Sequence, residues 1–287
     1  RGGTYNEGLI HFKKTGTRTA QIKLLNYPEE APTIHCINPT ALHRINFANG
    51  ADYRLPIGWI TVEGFEIRNC YAGFRYFNVH DSTFRRNWIH DNTTQGLLGN
   101  GTRIVIDRNI INHNGAFAKN PRSTQTHGLY LNGTAIRITN NVIFDNLGYG
   151  IQQNGASSSW YDPSKHAGPE FTVSHNWIVA NNTLAYSRNR AGMVVWGSTC
   201  LNALIENNIF YENAVSQTNS APQGIDFVSV TCSGVQIRNN HFFASGSGGM
   251  AALGSMAIEG VHYMQSGNIV NVRDPAFVNA PAELPTS

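Results

Sequence analysis

Val105-Ile106-Asp107-Arg108-Asn109-Ile110-Ile111-Asn112-His113-Asn114 is the stretch on which the fold turns. Two alternating apolar residues, a polar pair ending in Asn, two more apolar residues and a closing Asn make one rung. The same rung reads Thr83-Phe84-Arg85-Arg86-Asn87-Trp88-Ile89-His90-Asp91-Asn92 upstream and Ile136-Arg137-Ile138-Thr139-Asn140-Asn141-Val142-Ile143-Phe144-Asp145-Asn146 downstream. Further copies run from Val173 to Asn181, Leu204 to Asn213 and Val235 to Ser245. The leading asparagines, Asn87, Asn109, Asn141, Asn176, Asn208, Asn240 and a degraded Asn268, are spaced by 22, 32, 35, 32, 32 and 28 residues. A fixed motif with an elastic period describes a solenoid, each copy being one coil and the extra residues being loops.

The apolar runs are too short for helices and alternate as strands do. A single Asn between two runs reads as a sharp bend, because Asn and Gly adopt the left-handed backbone at low cost. Gly64 fills the same slot one coil earlier, in Thr61-Val62-Glu63-Gly64-Phe65-Glu66-Ile67. Stacked coils would let each Asn amide bond its counterpart above and below, a ladder that satisfies buried polar groups. The fold class is therefore all-β: a single-stranded parallel β-helix of about eight coils with an asparagine ladder. A β-propeller is the alternative, and the short, irregular period disfavours it.

A third strand in each coil begins with Gly. Its copies are Gly73-Phe74-Arg75, Gly96-Leu97-Leu98, Gly128-Leu129-Tyr130, Gly150-Ile151-Gln152, Gly192-Met193-Val194 and Gly224-Ile225-Asp226. Alternation sends Phe74, Leu97, Leu129, Ile151, Met193 and Ile225 inward as an aliphatic stack. Arg75, Leu98, Tyr130, Gln152, Val194 and Asp226 then face outward, one per coil.

These repeats resemble the right-handed parallel β-helix proteins of the pectate lyase-like superfamily. The opening Arg1-Gly2-Gly3-Thr4-Tyr5-Asn6-Glu7, with Gly16-Thr17 and Ile22-Lys23-Leu24, is similar to the first coils of its chondroitinase B and alginate lyase branch. The resemblance implies a right-handed coil, and it is shared by lyases, hydrolases, epimerases and proteins without known activity. Members of that branch typically use Lys and Arg, often with calcium, so the resemblance makes Ca2+ a possible cofactor.

Composition bounds the rest. The 287 residues fit one continuous domain: N-terminal coils over 1–60, regular coils over 61–270 and a tail over 271–287. Only 14% of residues are charged and the net charge is +3, too mild and dispersed for nucleic acid. No apolar run reaches membrane-spanning length, and a monomer is expected. The chain opens at Arg1 without Met or an apolar leader, which reads as a processed or trimmed start. Sequons at Asn92, Asn100, Asn132 and Asn181 are expected by chance in so Asn-rich a sequence. Cys200 and Cys232 each stand eight residues before a ladder Asn, so they should stack on adjacent coils within disulfide range. Cys36 and Cys70 are 34 apart, which allows a second bridge or two buried thiols. Disulfides place the protein in a secreted, periplasmic or cell-surface setting.

Function is expected where loops interrupt the repeat. The loop Gly115 to Thr126 carries Lys119 and Arg122 and enters the outward strand at His127. The loop Gly155 to Glu170 carries Trp160, Tyr161, Asp162, Lys165 and His166. Thr183 to Arg190 adds Arg188 and Arg190, and Trp196 ends its strand. Trp88 and Trp177, inside rungs, are expected in the core. A groove with basic, aromatic and amide walls suits a carbohydrate, whose pyranose unit is about as long as the ~4.8 Å strand spacing. Aromatic faces stack on sugar rings, while amides and Arg read hydroxyls and carboxylates.

A lyase acting on a uronic acid needs cations for the carboxylate, a base and an acid. His127 and Tyr130 are the best acid/base pair, because one short strand fixes both. Arg122 and Lys165 complete the catalytic candidates. Lys119, Gln152, Trp160, Tyr161, His166, Arg188, Arg190, Trp196 and Asp226 are the candidates for binding an acidic polysaccharide or oligosaccharide. A glycoside hydrolase needs two facing carboxylates, and Asp226 and Asp162 lie two coils apart. Asp91 and Asp145 read as turn residues. The alternatives to a lyase are that hydrolase and a non-catalytic carbohydrate-binding or cell-surface solenoid.

Overall fold

The computed structural model describes residues 2–6, 9–37, 44–47, 55–115, 126–154, 174–197, 199–214, 224–228, 231–243 and 261–270. Their strands are short and paired in parallel with the equivalent strand one coil away. Ten of them stack in one sheet, from Gly3–Asn6 and Pro32–His35 through Glu66–Arg68, Trp88–His90, Ile110–Asn112, Val142–Phe144, Thr183–Ala185, Ile209–Tyr211 and His241–Phe243 to Ile269–Val270. That is more than the about eight coils expected. The remaining strands form a second, continuous sheet that bends around the other sides of each coil. Its longest members, Phe74–Arg85 and Leu97–Asp107, pass through a corner without a break in pairing other than one register shift.

The ladder exists, with two changes to the sequence reading. In the first, Asn182 takes the slot expected for Asn176. The chain of bonds runs Asn87, Asn109, Asn141, Asn182, Asn208, Asn240, Asn268. Each Oδ1 accepts both the backbone N–H and the side-chain amide of the previous Asn, as at Asn141, where Asn109 donates at 2.9 and 3.0 Å. Each Nδ2 also donates to a backbone carbonyl, Asn141 to Ile106 O at 2.9 Å. Asn176 instead sits one corner away, where its Oδ1 receives Asn202 Nδ2 at 3.3 Å. The Asn-Asn pair preceding Thr183-Leu184-Ala185 is the true copy, and the intervening corner misled the spacing.

In the second change, bend and ladder are neighbouring residues rather than one. The left-handed positions are Arg86, Arg108, Asn140, Asn181, Asn207 and Asn239, with φ between 54° and 59°, and Gly64 at 83°. The ladder Asn follows each of the six, while Phe65 follows Gly64 and donates its N–H to Asn87 Oδ1. The polar pair of the motif is thus a division of labour: the first residue turns the chain and the second satisfies what the turn exposes.

The closing Asn of each rung builds a second ladder, Asn92 to Asn114 to Asn146. Cys70 continues it upward, its N–H donating to Asn92 Oδ1 at 2.9 Å. Cys70 is bridged to Cys36, with Cα atoms 4.9 Å apart. Cys200 and Cys232 face each other in register and are also bridged, with Cα atoms 4.6 Å apart.

Inside the coil the aliphatic stack is as read: Phe74, Leu97, Leu129, Ile151, Met193 and Ile225 are all fully buried. Trp177 is buried too, its indole N–H bonded to Gly133 O at 2.8 Å. Trp88 is not in the core. It stands on the outer face of the ten-stranded sheet, in line with Glu66 and Ile110.

Replacing Asn141 with Leu removes the acceptor of the Asn109 backbone N–H and of one Asn109 Nδ2 bond, and the side-chain donor to the Ile106 carbonyl. Denaturant unfolding should show a loss of about 1 to 3 kcal/mol, the desolvation cost of orphaned buried groups. Mass analysis with an alkylating agent should add no label to native protein and four labels after reduction and unfolding, since all four cysteines are bridged.

Candidate functional site

The strands that begin with Gly form the floor of the candidate groove. Glycine is required there by close backbone approach: a Cβ at Gly128 would lie 2.6 Å from Gly150 O, and one at Gly150 would lie 2.7 Å from Gly192 O. With that contact set, the outward residues align one per coil, Arg75 beside Leu98, then Tyr130, Gln152, Val194 and Asp226. Trp196 lies across from Asn154 and Val228 at the far end of its strand and is 42% exposed.

The residue just before each strand glycine forms its own column. Gly73 N–H bonds Gln95 O, Gly96 N–H bonds His127 O, and Gly128 N–H bonds Tyr149 O. His127 therefore stands directly over Tyr149, with ring centroids 5.3 Å apart, and meets Tyr130 edge-on at 5.4 Å. The Tyr149 backbone N–H donates to His127 Nδ1 at 3.0 Å. That bond occupies the Nδ1 lone pair, so neutral His127 carries its proton on Nε2 and presents a donor there. His127 is 1% exposed and Tyr130 9%, so both sit at the bottom of the surface rather than on it.

Tyr149 joins this cluster to the next coils. Burial, helped by the negative charge of Asp226, pushes its phenol up to about 12, against the charge and hydrogen bond of Arg190. The Arg190 guanidinium lies 5.8 Å from the Tyr149 ring centre. Burial also raises the Asp226 carboxyl, against a bond from the Phe227 backbone and the charge of Arg190. The arrangement is a protonated phenol, an imidazole donor and a guanidinium gathered over three adjacent coils.

The two arginines of the third loop have different fates. Arg188 is held by both oxygens of Asp145, at 2.6 and 3.0 Å, and so braces the bend at which Asp145 adopts φ 52°. Arg190 has no ion pair within 4 Å among the described residues; it hydrogen-bonds Tyr149, and its charge acts on Asp226. Asp91 is also a bend residue, bonded to His90 and His113.

His127, Tyr130, Gln152, Arg190, Trp196 and Asp226 are thus placed on one face. Lys119 and Arg122, and Trp160, Tyr161, Lys165 and His166, lie outside the described residues. Tyr149 was not singled out from the sequence. Its signal was available in the column before the strand glycines, where Gly148-Tyr149-Gly150 follows His127-Gly128 by one coil. Among the described residues no group of three or more His, Cys, Asp or Glu is placed to hold a metal ion, and no helix is long and apolar enough to cross a membrane.

Parallel pairing among the described strands, three left-handed bends per regular coil, as at Arg103, Arg108 and His113, and stacked amide ladders define a parallel β-helix. A family model described as the right handed beta helix region matches residues 48–164. The chain is similar to the solved structure of an alginate lyase from Paenibacillus sp. str. FPU-7, at 12% identity and a TM-score of 0.52, over 93% of this chain and 85% of that one. It is also similar to pectate lyase Pel9A, at 14% identity and a TM-score of 0.53, over 94% and 67% of the two chains. The Dettilon tailspike protein aligns at 13% identity and a TM-score of 0.50, over 93% and 61%. By sequence, no curated protein matches. At such identities the likeness is one of fold.

The raised Asp226 carboxyl has a signed consequence. A carboxyl that holds its proton more tightly when folded opposes folding once pH rises above its ordinary range. Asp226→Asn should therefore melt at a higher temperature than the parent at neutral pH, and the gain should vanish below about pH 4, where the acid is protonated in both states.

Proposed function

We propose that the protein is a polysaccharide lyase that cleaves a uronic-acid-containing chain by β-elimination in the groove over Tyr130 and Gln152. The observation that carries this reading is Arg190, a groove guanidinium without an ion pair among the described residues, set beside the His127, Tyr130 and Tyr149 cluster. Two of the structures that share the fold are named as lyases of alginate and pectate.

The reaction needs three things in one place. A cation must neutralise the uronate carboxylate so that the neighbouring C5–H becomes acidic. Arg190 is suited to that task, with Arg122 and Lys165 assigned to it from the sequence. A base must take the C5 proton while the C4–O bond breaks, leaving a C4=C5 double bond. Tyr130, outward on the floor, is given that role as its phenolate, which becomes the phenol when it takes the C5 proton. An acid must protonate the departing oxygen, and the Nε2–H of His127 has the right polarity. Trp196 offers a face for a sugar ring further along the groove, while Gln152, Lys119, Trp160, Tyr161 and His166 are assigned to binding. The two disulfides fit an oxidising compartment outside the cytosol.

The deep burial of His127 favours a second reading, a carbohydrate-binding solenoid without turnover. Incubation with polygalacturonate, alginate and glycosaminoglycans, followed by the ultraviolet absorbance of unsaturated uronides, separates the two. For a lyase, His127→Ala and Tyr130→Phe should each lower turnover on the order of 100-fold or more; Tyr130→Phe should do so with little change in melting temperature, whereas His127→Ala, which orphans the buried Tyr149 N–H, should also melt lower. Arg190→Ala should raise KM and lower kcat together, and added salt should mimic the rise in KM. Full activity in both the His127 and Tyr130 variants would remove these two from the chemistry, and retention without new absorbance would establish the binder.

A further inference from the structure

Trp88 lies on the ten-stranded sheet, which does not contain the groove strands, and 45% of its surface meets solvent. Its side chain is nevertheless fixed. The indole N–H donates to Asn112 Oδ1 in the next coil at 2.8 Å. The ring lies on His90, with centroids 4.0 Å apart and planes 23° from parallel. His90 is itself held from both nitrogens, Nδ1 2.6 Å from Asp91 Oδ2 and Nε2 3.1 Å from Glu66 Oε1. Glu66 also accepts the Thr33 hydroxyl at 2.6 Å and lies 3.2 Å from Arg68 Nε, while Asp91 is shared with His113. Side chains from four successive strands thus set the rotamer of one exposed indole. An aromatic ordered in advance loses little conformational entropy when it binds, which is how an exposed anchor residue gains affinity.

The surroundings narrow the ligand. Burial pushes the Glu66 and Asp91 carboxyls up, but the bonds from Thr33 and His90 to the first, and from His113 and His90 to the second, outweigh it and keep both low. Both acids are therefore ionised, and Arg68 and the two imidazoles answer them locally. The patch offers neither a spare cation for an acidic sugar nor a spare anion for a basic segment. Ile110 and Val142 follow Trp88 in register down the sheet and are exposed in their turn. Their spacing is the strand pitch of about 4.8 Å, close to one pyranose, and Asn112 supplies an amide at the rim.

We infer that Trp88, with Ile110 and Val142 beyond it, is a binding site for a neutral glycan chain laid along the solenoid axis on a face separate from the groove. The sugar's C–H face stacks on the indole, and its hydroxyls reach the Asn112 side-chain amide. The site is independent of the lyase reading.

Affinity electrophoresis of the full chain through gels containing hydroxyethyl cellulose, galactomannan or laminarin tests it. At least one of these polymers should retard the protein, and the retardation should survive high salt, unlike that by a polyuronate. Trp88→Ala should weaken it by roughly tenfold or more, and Ile110→Asp, on an exposed position, should weaken it with no change in melting temperature. Three outcomes overturn the inference: no retardation by any of the three polymers, retardation that persists in both variants, or a Trp88→Ala variant that light scattering shows as monomeric where the parent is dimeric. The last would make this face a contact between copies of the chain.

Discussion

A backbone that turns three corners in each coil leaves amide groups facing a dry interior, and the bond between a ladder asparagine and the asparagine of the next coil is what makes those corners tolerable. Asn141 shows the economy of the device. One side chain accepts two bonds from the coil before it and donates one to a carbonyl of that coil. An unpaired buried amide is costly, so register between coils is set by these pairings as much as by the apolar stack. Once register is set, everything else on the surface follows in rows. The groove residues, the strand glycines and the residues preceding them are each a column generated by the same translation.

That translation explains why chemistry can be assembled from sequence positions far apart. His127, Tyr149 and Arg190 come from successive coils, and each is delivered by the corner preceding its strand. The solenoid supplies the spacing, and insertions supply the identity of the groups. The same corners also remove candidates from the surface, since Asp145 is occupied by Arg188 and Asp91 by two histidines. Charge at a bend, as at Asp145, is held by a partner from another coil, whereas Arg190, four residues past the left-handed Tyr186, has no ion pair among the described residues.

The sequence disclosed the repeat, the inward stack and the outward row, because strand alternation has a period of two and tolerates no slip without inverting the faces. It disclosed the Cys200–Cys232 bridge for the same reason, through the equal offset of the two from their ladder positions, and left Cys36 and Cys70 open between a bridge and two buried thiols. What it hid were distinctions between adjacent corners. Asn176 and Asn182 both sit in Asn-rich bends, and only the pairing partner tells them apart. Trp88 and Trp177 both follow an Asn, yet Trp177 follows the bend of another corner and points inward, while Trp88 follows a ladder residue and points out. Tyr149 was hidden because the eye follows the strand that begins at Gly150, not the residue that precedes it. The loops carrying Arg122 and Lys165 have no repeat to read them against, so their residues were assigned to the groove by chemical type alone.

The Cys36–Cys70 bridge occupies the slot that Asn92, Asn114 and Asn146 fill in the coils below it. A solenoid behaves as a one-dimensional array in which opening begins at an end and proceeds coil by coil. Tying Cys36 to Cys70 means that the N-terminal coils cannot peel away singly, because the covalent link passes the load to the next amide in the column. Cys200–Cys232 does the same from the other side. The coils that bear His127, Tyr130, Tyr149 and Arg190 lie between these two clamps, so fraying is arrested before it reaches them, and the groove keeps its shape while the ends breathe.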